Sequence, residues 1–88
     1  MLISTDEIEI TADVVEIIQN PDYAQLVTTY KKYGQQEDLL VTKNPESNKY
    51  CLVNYQDSAC LLVMKSLHFV KGDERFKEVS CQLKPWQE

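Results

Sequence analysis

An α+β domain, with a small mixed sheet of about four strands and two main helices, is the fold class this sequence predicts. Three observations carry the prediction. A capped helix runs from Asn20-Pro21-Asp22 to Gly34, and two short apolar runs flank the turn Asn44-Pro45-Glu46-Ser47-Asn48. A strongly apolar segment that begins at Ser58 is followed by the alternating stretch Glu78-Val79-Ser80-Cys81-Gln82-Leu83. The order is therefore strand, helix, hairpin, helix, strand, and the 88 residues suit one domain over 1–88 with a single modest core.

The opening stretch Glu7-Ile8-Glu9-Ile10-Thr11 alternates like a short half-buried strand. Residues 12–19, with Val14, Val15, Ile17 and Ile18, form a short apolar run that periodicity alone does not assign. They are expected to be a mostly irregular, partly buried connection. The next start signal is stronger: Asn20 can cap free amides, Pro21 fits the first helical position, and Asp22 complements the positive end of its dipole. Tyr23, Leu26, Val27, Tyr30 and Tyr33 then recur at three- and four-residue steps, so one apolar stripe faces the core until Gly34 ends the helix. Three tyrosines on that stripe read as packing with hydroxyls at the rim rather than as a stacking platform.

Leu39-Leu40-Val41-Thr42-Lys43 has a strand's length, and Lys49-Tyr50-Cys51-Leu52-Val53 returns as its hairpin partner across the Pro- and Asn-containing turn. Beyond Asn54-Tyr55-Gln56-Asp57, the residues Ala59, Leu61, Leu62, Val63, Met64 and Leu67 are too apolar for a surface helix. That helix is expected to lie buried on the sheet, with Asp57 as its cap and His68 near its end. Val70 to Phe76 reads as a polar connection, and Pro85 stops the last strand.

Composition narrows the function classes. The apolar share of 43% and charged share of 26% are those of an ordinary globular protein. Formal charge is −5, unevenly spread: Asp6, Glu7, Glu9, Asp13, Glu16 and Asp22 fall in the first thirty residues, which hold no Lys or Arg. Gripping a phosphate backbone relies on Lys and Arg displacing counterions, so direct nucleic-acid binding is disfavoured and a protein partner with a basic surface fits better. The plainer alternative is that these carboxylates keep a small domain soluble. The N-terminus lacks the basic start and apolar run of a secretory signal, and no stretch approaches a membrane span. Cys51, Cys60 and Cys81 form an odd set within apolar stretches, as suits reduced thiols in a cytoplasmic protein. Together with His68 they have zinc-binding residue types, but no close Cys pair, so no metal is expected. Lys71-Gly72-Asp73-Glu74-Arg75 lacks the second Gly and the Lys-Ser/Thr ending of a phosphate loop.

Ile3-Ser4-Thr5-Asp6-Glu7-Ile8-Glu9-Ile10, the helix Asp22 to Tyr33 with Gly34-Gln35, the hairpin strands and Glu78-Val79-Ser80-Cys81-Gln82-Leu83 together resemble the ParB/sulfiredoxin superfamily, in particular the N-terminal domain of ParB-like proteins. The resemblance covers nearly the whole chain and rests mostly on hydrophobic patterning. It implies a phosphate-binding loop after the second hairpin strand, where ParB-like domains carry a Gly-acidic or Gly-His pair followed by two Arg. Sulfiredoxins carry Gly-Gly-Cys-His-Arg there. This chain has Asn54-Tyr55-Gln56-Asp57-Ser58 instead, with no Gly, Arg or Cys. Tyr55 obstructs close backbone approach, and Asp57 repels the phosphate that an Arg would hold. The expectation is a degenerate, non-enzymatic scaffold with no catalytic residue and no cofactor, which binds a protein partner as an accessory or inhibitor in a plasmid, phage or other mobile element. Tyr55, Gln56 and Asp57 are the candidate interaction loop, and Asp6, Glu7 and Glu9 the candidate acidic contacts. Two alternatives stay open: a nucleic-acid-binding accessory using Lys31, Lys32, Lys43, Lys49 and Lys65, or a residual nucleotide-binding enzyme of the ParB-like class.

Overall fold

The computed structural model describes residues 1–10, 12–54 and 56–86. It is an α+β fold of five strands and three α-helices: β1 (Leu2–Ser4), β2 (Ile8–Glu9), α1 (Val14–Gln19), α2 (Asp22–Tyr33), β3 (Leu39–Lys43), β4 (Tyr50–Leu52), α3 (Asp57–Phe69) and β5 (Glu78–Lys84). The strands form one sheet in the order β1-β5-β3-β4-β2. β1 runs antiparallel to β5 and β3 antiparallel to β4, whereas β3 with β5 and β2 with β4 are parallel.

Five strands replace the expected four because the opening segment divides in two. Thr5–Glu7 form a single 3-10 turn, and β1 and β2 on either side of it lie at opposite edges of the sheet. Four gaps between flat strands measure about 19 Å. The four residue steps from Ser4 to Ile8 reach at most about 14 Å even when extended. The sheet must therefore curl until its edges approach each other. The turn is pinned at the closure by the buried Thr5, whose amide donates to the Lys77 carbonyl at 3.1 Å and whose hydroxyl donates to the Phe76 carbonyl at 3.0 Å.

The inside of the curl holds the core. Ile3 faces Val79 and Leu39 faces Cys81 across the ladders, and all four are buried with Ile8 and Val41. Leu61, Val63, Met64 and Leu67 of α3 fill the concavity, with Tyr30 of α2 behind them. Phe76, expected in a polar connection, is instead 1% exposed and meets the Tyr30 ring edge-on at 6.3 Å between centroids. A short 3-10 turn, Glu74–Phe76, delivers it there, capped by the Asp73 carboxylate on the Arg75 amide.

The second helix follows its sequence signals with a shift of one residue at its start, where Pro21 takes the cap position and Asp22 is the first helical residue. The Asn20 side chain accepts from the Asp22 amide at 2.9 Å, and Gly34 ends the helix at φ 78°, with its amide donating to the Tyr30 carbonyl. That left-handed φ suits glycine because a Cβ there is sterically costly. Tyr33 departs from the expected stripe and is 64% exposed. At the hairpin the Asn44 side chain accepts from the Glu46 amide, and Asn48 takes the positive φ that the turn requires.

Two expectations need correction. Residues Val14–Gln19 are a helix rather than an irregular connection, because Asp13 caps it by accepting from the Val15 and Glu16 amides at 3.0 and 3.3 Å. Asp57 is the first residue of α3 rather than its cap. The cap position falls to Gln56, whose side chain makes no capping bond, so Asp57 contributes only its charge at the positive end of the helix. No helix among the described residues is long and apolar enough to cross a membrane.

Candidate functional site

The residues singled out in the sequence fall into two groups along α3. Asp6 and Glu7 are exposed in the 3-10 turn at the sheet closure, and Glu9 ends β2 opposite Cys51. The Ser4 hydroxyl donates to the Asp6 carboxylate and holds it below the ordinary carboxylate range, helped by Lys65 and His68. Burial lowers the Lys65 ammonium, and the nearby Asp6 partly offsets that. Gln56 and Asp57 lie at the other end of the helix. Eight residues separate Asp57 from Lys65, about 12 Å of helix, so the structure does not bring the two groups together. Tyr55 lies outside the described residues. Of the lysines considered for nucleic acid, Lys49 and Lys65 sense each other's charge, while Lys31 and Lys32 sit in the last turn of α2, where Arg75 donates to the Lys31 carbonyl.

Gln56 opens instead onto a groove of about 340 Å³ between α1, α2 and the start of α3. Ile17, Tyr23, Leu26 and Ala59 supply its apolar surface; Glu16, Asn20, Asp22, Gln56 and Ser58 supply its polar surface. The helices explain this arrangement. Ile17 is the half-buried side of α1, while Val14, Val15 and Ile18, on another face of the helix, are 39%, 61% and 52% exposed. A six-residue helix carrying three exposed β-branched apolar side chains leaves unpartnered apolar surface next to carboxylates.

Asp57 faces a second cavity of about 220 Å³, which meets the first at Leu26. Its walls come from α2 (Thr29, Tyr30), the loop after it (Gln36, Glu37, Asp38), the start of β3 (Leu39) and α3 (Asp57, Cys60). Tyr30 is only 6% exposed. Burial raises its phenol well above the usual value, reinforced by the Cys60 thiol and the carboxylates of Glu37 and Asp57. Asp38 is already engaged: the Ser80 hydroxyl donates to it at 2.6 Å and Gln82 at 3.5 Å, which holds its carboxyl low.

Among the described residues no Lys or Arg lines either cavity. The single ion pair among the described residues joins Arg75 to Asp73 at 2.8 Å, away from both. Glu16, Asp22, Glu37, Asp38 and Asp57 therefore form an anionic rim without an internal counter-charge. Among the described residues no group of three ligating side chains converges to hold a metal. Cys51, Cys60 and Cys81 are free thiols. Cys81 is buried and its thiol is pushed up to about 11, chiefly by desolvation, so it is a poor nucleophile near neutral pH.

Of the residues singled out in the sequence, Gln56 lines the groove and Asp57 the second cavity, whereas Glu16, Ile17, Asp22, Tyr23 and Leu26 were not read from the sequence as neighbours of one groove. The signal was local: Asp13 stands directly before an apolar run whose members at 14, 15 and 18 share a helical face. No family model, curated protein or solved structure matches this chain.

Proposed function

We propose that this chain is a non-catalytic protein-interaction module on a degenerate ParB/sulfiredoxin-like scaffold, a cytoplasmic accessory or inhibitor protein of a plasmid, phage or other mobile element. The single observation that carries the interaction reading is the groove between α1, α2 and α3, with an apolar floor and an anionic rim that, among the described residues, no lysine or arginine lines. Such a surface suits an amphipathic basic segment of a partner protein. Apolar side chains of that segment would cover Ile17, Tyr23 and Leu26, while its cations would face Glu16 and Asp22. The run of α2, the β3–β4 hairpin, α3 and β5 supports the scaffold, although the opening holds two strands and an additional short helix, and the stretch from Asn54 to Ser58, without Gly or Arg, supports the loss of phosphate chemistry.

The test is titration of the 88-residue chain with a synthetic amphipathic Leu/Lys helical peptide, followed by calorimetry. The double variant Glu16→Lys/Asp22→Lys alters two exposed side chains and is expected to weaken binding about tenfold, corresponding to the loss of two surface charge pairs. Wild-type binding is expected to fall with added salt. Equal affinity of both proteins for the peptide would overturn the proposed groove, and turnover of a nucleotide or nucleic acid would overturn the non-catalytic reading.

A further inference from the structure

We infer that Tyr33 is a docking knob, and that the groove between α1, α2 and α3 of one copy receives the Tyr33 end of α2 from a second copy of this chain. The inference rests on the groove reading above and adds a partner to it.

Tyr33 stands seven residues after Leu26, on the same face of α2. The fold nevertheless leaves it 64% exposed, whereas Tyr30 in the same last turns of the helix is buried. The turn that carries Tyr33 is also pinned. The Gly34 amide donates to the Tyr30 carbonyl at 2.9 Å, and Arg75, paired with Asp73, donates to the Lys31 carbonyl at 2.8 Å. Two of the carbonyls that a helix end leaves free are thereby satisfied. An aromatic side chain presented on such a turn loses little conformational freedom when it docks.

Charge makes the two ends of α2 complementary. No Lys or Arg precedes Lys31 and Lys32 in the chain, both are exposed, and the Lys32 Nζ lies 5.1 Å from the centre of the Tyr33 ring. At the other end of the helix the groove carries Glu16 and Asp22 on its rim, with no cation lining it among the described residues. An aromatic ring flanked by cations thus matches an apolar floor flanked by carboxylates. Size agrees as well: an apolar cavity of about 150 Å³ already takes a benzene ring, and the groove measures about 340 Å³. Leu26 and Ile17 can cover the ring, while Gln56 and Ser58 offer partners to its hydroxyl. The ten residues from Tyr23 to Tyr33 span about 15 Å of helix, which puts a chain's own Tyr33 out of reach of its own groove. The net charge of −5 repels whole copies, but that repulsion is screened beyond about 8 Å at physiological ionic strength, which leaves the close pairs in place.

Sedimentation equilibrium of the full chain at physiological ionic strength tests the contact. The wild type is expected to gain mass with concentration between the micromolar and millimolar ranges. Tyr33→Ser, a change at an exposed site, is expected to weaken association at least about tenfold, and Glu16→Lys/Asp22→Lys about tenfold. A mixture of these two variants is expected to form a one-to-one pair at concentrations where neither associates alone, because the intact Tyr33 of the second fits the intact groove of the first. A wild type that stays monomeric throughout, undiminished association of Tyr33→Ser, or a mixture that forms no pair would each overturn the inference. The amphipathic Leu/Lys peptide separates it from the groove reading, since Tyr33→Ser leaves the groove unchanged. If that variant binds the peptide while the wild type stays monomeric, the groove reading stands and the self-docking contact falls. If the mixture restores an association that Tyr33→Ser abolishes, and no peptide binds, the self-docking contact stands and the groove is not a site for a foreign basic segment.

Discussion

Thr5 and Thr42 both carry buried hydroxyls, but only that of Thr5 is bonded. Its hydroxyl donates to the Phe76 carbonyl at 3.0 Å and approaches that of Lys77 at 3.2 Å. Replacement by the isosteric valine removes the donor and leaves the Phe76 carbonyl without it. Thr5→Val is therefore expected to cost about 1–2 kcal/mol in urea unfolding. The Thr42 hydroxyl has no hydrogen-bond partner among the described residues. Thr42→Val replaces an unsatisfied buried hydroxyl with a methyl in a strand that favours β-branched apolar residues. It is expected to leave stability unchanged or raise it by up to about 1 kcal/mol. Opposite signs for one substitution would separate the bonded hydroxyl from the orphaned one; equal destabilisation would show that packing dominates both sites.

At the scale of elements, α1 is the informative case. Six residues cannot sustain a helix alone, because the cost of nucleation exceeds what so few backbone bonds return. Its order comes from the Asp13 cap and from contact with α2 and α3. Asp13→Ala is thus expected to destabilise that turn by about 1 kcal/mol, measured as faster amide exchange at Val15 and Glu16. The same variant is expected to weaken the amphipathic peptide, since Ile17 and Glu16 line the groove from α1. Peptide affinity unaffected by loss of the turn would place the docking surface elsewhere. The longer elements were easier to read from the sequence. The Asn20 and Gly34 signals bracket α2 correctly, and the hairpin turn chemistry locates β3 and β4. The misread segments were those whose structure depends on distant partners: Phe76 sits in a charged stretch, yet the Tyr30 ring and α3 provide its burial.

Over the whole molecule, pH is expected to affect stability from both sides. Cys81 and Tyr30 ionise less readily in the folded chain than their ordinary values of 9.0 and 10.0, mainly because burial disfavours the charged form. The unfolded chain releases those protons first as pH rises. Their contribution is complete below pH 9.0 and is lost as pH climbs toward the Cys81 value of about 11. Asp6, Asp38 and Asp73 have the reverse sign: hydrogen bonds from Ser4, Ser80 and Arg75 depress them below 3.8, so their contribution is lost as acid titrates them below that value. Lys65 opposes the alkaline arm, because burial lowers its ammonium and its deprotonation in the fold relieves that cost. Stability is expected to fall below 3.8 and, in Lys65→Met, which removes the opposing group, above 9.0 as well. A flat alkaline arm in that variant would mean that Cys81 and Tyr30 are hydrated in the fold.

By itself the sequence determined the local decisions: where α2 begins and ends, where the hairpin turns, which helix is apolar enough to be buried, and that the opening third is anionic. Each is written in neighbouring residues through caps, turn chemistry, periodicity or charge. Tertiary structure alone decided that β1 and β2 take opposite edges, that the sheet curls round α3, and that Glu16, Asp22, Glu37 and Asp57 border adjoining cavities. The physical reason is distance along the chain. Residues 16 and 56 share no local pattern, and they come to line one groove only when α3 buries its apolar side chains inside the curl and draws α1 and α2 over its N-terminal end.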